Sequence, residues 1–243
     1  MDKIYIAMWS GPRSISTALM RSFENRIDTV VLDEPFYAYF LKETNLNHPG
    51  RKEIISTGEY NWGKIVKKIT GPIPQNKNIW YQKHMAQHNI GGNDISWIKN
   101  FKNGFLIRDP KYVIQSYNKE YPLSNKKLLG YSQQLNIIRT LEDKEGITPP
   151  IFDATDIQKN PRLALKKMCI SFGIGFREKM LKWPRGKRKS DGVWAKYWYG
   201  NVESSSGFKP FHEKQITIEK GLIALYKQCL VEYNSMYEKR VII

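Results

Sequence analysis

Four short stretches of this sequence put chemistry-bearing residues where the chain turns. In WSGPRSIST, Trp9 to Thr17, an apolar run gives way to a Gly–Pro turn and then to a helical pattern. Such a turn collects backbone N–H groups at the positive end of a helix dipole, which makes an anion site. Gly11 and Pro12 mark the turn, and Arg13 can fork onto phosphate or sulfate oxygens. Ser14, Ser16 and Thr17 bring hydroxyl donors, and Ile15 opens the helix. In FLIRDPKYVIQSYNK, Phe105 to Lys119, Arg108 ends a strand and Ser116 follows in the second helical turn, eight positions on, so both can face one phosphate. DEPFYAYF offers Glu34 as a proton acceptor, with Asp33 beside it, and KHM offers Lys83 and His84, with His88 further on. Each stretch also has a plain structural reading: a capped strand-to-helix turn, a first-turn acid or a packed histidine.

The bulk composition limits the partners. The chain has 243 residues, 41% hydrophobic and 26% charged, which suits one large α/β domain or two small ones. A net charge of +16 favours anionic partners, whether a multiply phosphorylated nucleotide, nucleic acid or an anionic surface. Two cysteines without CxxC spacing point away from a metal site and towards a reducing, cytoplasmic setting. No apolar run reaches the roughly 20 residues of a membrane span. KIYIAMW is too short for a signal peptide and runs directly into polar SGPRS.

These groups need a scaffold that brings strand ends together. Residues 3–8, 29–32, 79–83, 104–107 and 151–153 read as strands. Helices are expected over 15–25, from 33 to 41, over 60–70, 93–101, 111–119, 126–144 and 161–172, and over 216–237, with a loop over about 46–57. This alternation predicts a three-layer α/β fold, a parallel sheet with helices on both faces, over a single domain spanning 1–243. Residues 183–210, rich in Lys, Arg, Trp, Ser and Gly, read as a loop that acts as a lid.

The two phosphate-binding candidates together resemble the sulfotransferases that use 3′-phosphoadenosine 5′-phosphosulfate. Residues Pro12 to Thr17 fall on the family's PKSGTTW loop, with Arg13 for Lys and Ile15 for Gly, the latter implying a regular helical backbone at that position. Arg108 to Tyr117, about 95 residues later, resembles RNPKDVAVSY, whose Arg and Ser bind the 3′-phosphate. The likeness is close from Lys3 to about Tyr117 and loose beyond. It implies a P-loop-like nucleotide-transferase fold, that nucleotide as co-substrate, no metal, and a small hydroxyl or amine acceptor. A degenerate late motif, Arg185 to Trp194, implies that Arg185 and Lys187 close on the nucleotide. At the KTH segment Met85 stands where the family carries its catalytic His, and Glu34 resembles the Glu of an EPFE segment, so Glu34 or His84 is expected as base and Lys83 as the cation at the transferring group.

Two other classes fit the charge. A phosphotransferase of the ATP-loop type would need GxxxxGK followed by Ser or Thr, which is absent. A non-enzymatic polyanion binder would need only the basic surface, but no RNA-binding signature accompanies it, so no nucleic-acid partner is expected.

Overall fold

The computed structural model describes residues 3–243. Five parallel strands form one sheet in the order β2-β3-β1-β4-β5. They are β1 (Ile4–Ser10), β2 (Thr29–Asp33), β3 (Ile79–Met85), β4 (Lys102–Ile107) and β5 (Ile151–Asp153). Helices pack on both faces, as the alternating pattern predicts. Leu19, Met20 and Phe23 of α1 (Ser16–Glu24) share one core with Phe152, Leu165, Met168 and Phe172. The opposite core joins Phe36 to Leu41, Ile65, Val113, Ile137 and Tyr233. Strands covered on both sides must be apolar along their length, and β3 is buried throughout although it carries Gln82, Lys83 and His84.

The remaining helices are α2 (Tyr37–Thr44), α3 (Arg51–Thr57), α4 (Trp62–Ile69), α5 (Pro110–Asn118), α6 (Tyr131–Glu145), α7 (Ala154–Lys159), α8 (Pro161–Ser171), the short α9 (Ala195–Trp198) and α10 (Gly200–Glu203), and α11 (Ile223–Tyr237). Several differ from expectation for identifiable reasons. The helix expected over 126–144 is split at Gly130, whose φ of 79° cannot continue a helix. Residues expected as loop hold α3, a short helix with Ile54 as its buried residue and too brief to show a period. Residues 216–219 precede the last helix rather than belonging to it. Residues 183–210 carry two four-residue helices and are docked, as described below.

Strand parity decides the fate of one candidate. Successive side chains point to opposite faces, so His84 faces away from Lys83. Its ring stacks on Trp9 at 4.6 Å and lies 5.6 Å from Trp97 and 5.9 Å from Phe36. Its Nε2 meets Gln82 Oε1 at 3.2 Å. Burial among these rings lowers its pKa from 6.5 to about 3. The expectation of His84 as a catalytic base is therefore corrected: it is a neutral core residue.

This burial has a consequence for stability. Below pH 6.5 the unfolded chain protonates His84 while the folded chain does not, so stability falls as pH drops towards about 3. Urea melts at pH 7 and pH 5 should show His84→Phe losing about 2 kcal/mol less than the wild type over that interval. An equal loss in both proteins would contradict the assignment.

Candidate active site

The sheet register assembles the site. β1 and β4 pair with Ser10 opposite Leu106, so the turns holding Arg13 and Arg108 leave the same sheet edge side by side. β2 and β3 pair with Asp33 opposite Lys83, which sets Glu34 against the same edge. Ligands of open α/β sheets bind at this carboxyl edge. A cleft of about 450 Å³ lies there, lined by residues 12–18 and by Glu34, Lys83, Arg108, Ser116 and Tyr199 among others.

The first loop is built under backbone constraint. Arg13 and Ile15 have φ of 58° and 57°, in the left-handed region. For a β-branched residue such as Ile15 this is an outlier that costs on the order of 1–3 kcal/mol. The expected regular helix at Ile15 is thus corrected: the helix begins at Ser16, and Ile15 sits where the family pattern carries Gly. The loop is held from outside. Gly11 does not line the cleft; a Cβ there would meet the Leu129 carbonyl oxygen at 2.3 Å, so only Gly lets the two segments approach. Arg108 Nη1 donates to the carbonyl of Arg13 at 2.7 Å, and Arg13 Nε donates to Ser116 Oγ at 2.8 Å. The first-turn N–H groups of α1 have no acceptor within their own helix.

The electrostatics leave the cleft short of anions. Burial lowers the Arg13 guanidinium, opposed by Glu120 at the 4.0 Å limit of an ion pair. Burial also lowers Arg108, with Arg13 adding to the effect. Arg108 Nε is buried with no partner among the described residues, and its plane faces Tyr112 at 5.4 Å. Tyr131 fixes the turn by donating to the Arg108 carbonyl at 2.6 Å.

At the other end Lys83 is the centre of a buried charge cluster. Its Nζ donates to Asp33 Oδ1 at 2.9 Å, Glu34 Oε1 at 2.6 Å and the Tyr199 hydroxyl at 2.6 Å. These three bonds use all three ammonium protons. Lys83 is therefore not free to serve a transferring group, the role expected from the sequence; its bonds hold the Glu34 carboxylate in place. Burial alone would lower the Lys83 pKa, but Asp33 and Glu34 outweigh it and hold the ammonium charged. Two carboxylates share this one cation, and burial together with Asp33 pushes the Glu34 pKa above its ordinary 4.5 despite Lys83. Glu34 itself has φ of 41°, which turns it out of β2. Its second oxygen, Oε2, lies 4.0 Å from His88 Nε2.

The late segment is tied down around this cluster. Tyr199 donates to Asp33 at 2.7 Å and accepts from Trp194 Nε1 at 3.1 Å. Buried Arg21 grips Asp191 through both carboxylate oxygens, at 2.6 and 2.7 Å. Arg185 and Lys187, expected on the nucleotide, are exposed and do not line the cleft; Arg185 borders an adjoining groove that shares Gly207, Phe208 and Lys209 with it. The late cations that do reach the cleft are Lys209 and Lys214, which no motif marked. His48 and His88 also line it, and only His88, near Lys83 in sequence, carried a signal.

Comparison with known proteins agrees with the fold. The sulfotransferase domain family matches residues 4–238, well past the region of close motif likeness. Two solved structures share the fold. One is the sulfotransferase domain from the curacin biosynthetic pathway, with a TM-score of 0.52 and 18% identity, covering 98% of this chain and 97% of that one. The other is a sulfotransferase from Alicyclobacillus acidocaldarius, with a TM-score of 0.52 and 8% identity, covering 100% and 98%. Two Arabidopsis thaliana proteins, branched-chain-amino-acid aminotransferase-like proteins 1 and 2, are each 36% identical over 229 residues, 94% of this chain. The chain spans only 41% and 40% of their lengths, so their names describe larger proteins. With the family match running from the first strand to the end of the last helix, the chain belongs to the sulfotransferase domain family.

Proposed function

We propose that this chain moves a sulfuryl group from 3′-phosphoadenosine 5′-phosphosulfate to a hydroxyl of a small acceptor. The observation that carries the reading is the pair of half-buried arginines, Arg13 and Arg108, joined to each other and facing one cleft. A buried guanidinium whose N–H groups lack partners is costly. Arg108 Nε is such a group, and a ligand with anionic groups at two places answers both it and the first-turn N–H groups of α1. Arg13 and the first-turn N–H groups of α1 would hold the 5′ end. Arg108 and Ser116 would hold the 3′-phosphate; Ser116 Oγ accepts from Arg13 and so keeps its own hydrogen to donate. Lys209 and Lys214 add positive charge.

The nucleotide, when bound, supplies the sulfuryl group and a phosphate leaving group. The chain contributes placement and proton transfer, which is what in-line group transfer asks of a protein. Lys83 fixes Glu34 by Oε1, and Oε2 is left to take the acceptor's proton. As the acceptor oxygen bonds to sulfur, the sulfur–oxygen bond to the leaving phosphate breaks, and its charge falls near Arg13.

Two outcomes test these roles. In calorimetric titrations Arg108→Ala should weaken adenosine 3′,5′-bisphosphate at least tenfold more than it weakens AMP, which loses only the bracing of the Arg13 loop; equal losses for both ligands would remove Arg108 from the 3′-phosphate. Glu34→Gln should lower turnover by about 10²–10⁴-fold with bisphosphate affinity kept. The base must be ionised and its pKa is raised, so wild-type kcat/KM should fall on acidification through a value above 4.5. That limb should vanish from the residual activity of the variant, and its persistence would assign the proton to another group.

A further inference from the structure

The two ends of the cleft differ in charge, and the difference reads as acceptor selection. Side-chain contacts order the wall. Arg108 lies over the Tyr112 ring, which meets Phe211 at 5.6 Å, so the stretch that carries Lys209 and Lys214 reaches the cleft from the Arg108 end. Around Glu34 stand Tyr37, His48, His88 and Trp198. His88 is sandwiched between Tyr37 and Phe40, each at 4.8 Å. His48 Nδ1 meets the Tyr37 hydroxyl at 3.0 Å, and Tyr121 and Trp198 pack edge-on to its ring at 4.7 and 6.1 Å.

Neither imidazole carries charge near neutral pH. Burial lowers His48 to about 4. Burial first, then the neighbouring His48, Lys83 and His84, holds His88 well below 6.5. Lys83 is already shared between two carboxylates, and Tyr37 and Tyr199 are held neutral by burial. This end therefore has no cation to spare and an excess of carboxylate. An anionic acceptor would meet Glu34 with nothing to neutralise it. The rings offer broad apolar faces instead. His88 Nδ1 and Gln87 Oε1 are buried without partners among the described residues, so neutral polar contacts remain to be made there.

Resting on the nucleotide reading above, we propose that the Tyr37–His48–His88–Trp198 end is the acceptor subsite and that it takes an uncharged, ring-bearing alcohol and excludes an anionic one. The test compares near-isosteres, 4-ethylphenol and 4-hydroxyphenylacetate, titrated into protein saturated with adenosine 3′,5′-bisphosphate. The phenol should bind at least tenfold more tightly than the acid, and Trp198→Ala should weaken the phenol about tenfold while bisphosphate affinity stays within twofold. Equal binding of the two, preference for the acid, or no phenol binding to bisphosphate-saturated protein overturns the proposal and leaves the nucleotide site standing. Failure of the bisphosphate itself to bind overturns the nucleotide reading, and this inference with it.

Discussion

An ammonium group inside a sheet is tolerated only when every proton on it is answered. Lys83 lies in β3, between β1 and β2, and is 1% exposed, and three oxygens answer it: Asp33, Glu34 and Tyr199. Removing one partner from such a buried cluster costs about 3–5 kcal/mol, because the rest is left uncompensated. The cluster therefore dictates structure at some distance. It requires β2 to sit beside β3 in a register that sets Asp33 opposite Lys83, and it draws residues 192–199 of the late segment onto the sheet edge. The same bonds that stabilise the charge aim Glu34 at the cleft. Here the fold and the proposed chemistry rest on one set of contacts.

The opposite half of the cleft follows the reverse logic. There the cations are incompletely answered by the protein. Arg108 spends one nitrogen on a carbonyl and leaves Nε without a partner, and Arg13 is shared between a hydroxyl and a distant, half-exposed Glu120. Two left-handed residues in five, at Arg13 and Ile15, keep the loop in a conformation that propensity alone would not select. One end of the cleft is closed by its own charges and the other is open to an anion.

How much of this could be read from the sequence depended on how local the signal was. Ser116 was legible from its spacing of eight from Arg108; Arg13 and Arg108 were legible because each follows a strand end within a few residues, and parallel pairing brings strand ends together. Glu34 was legible for the same reason. His84 was not legible from the KTH likeness, because strand parity sends consecutive side chains to opposite faces and so turns it away from Lys83. The backbone at Ile15 was misread because loop closure, not residue preference, fixes its φ. Arg185 and Lys187 followed from a degenerate motif likeness, which does not say which basic residues of a long segment border the cleft; the exposed Lys209 and Lys214 do so. His48 joins Tyr37 and Tyr117 through contacts 11 and 69 residues apart, a tertiary meeting that leaves no periodic trace.

The bond from Arg108 to the Arg13 carbonyl does more than brace a loop. It makes the turns that follow β1 and β4 one mechanical unit. A group that engages Arg108 also restrains the backbone that carries Arg13, so occupancy at one end of the cleft changes the free energy of occupancy at the other. Thermodynamic linkage makes that influence reciprocal. A nucleotide phosphorylated at both positions would then be recognised cooperatively, and the missing phosphate of a close analogue would be felt at the reacting end as well as at the empty one.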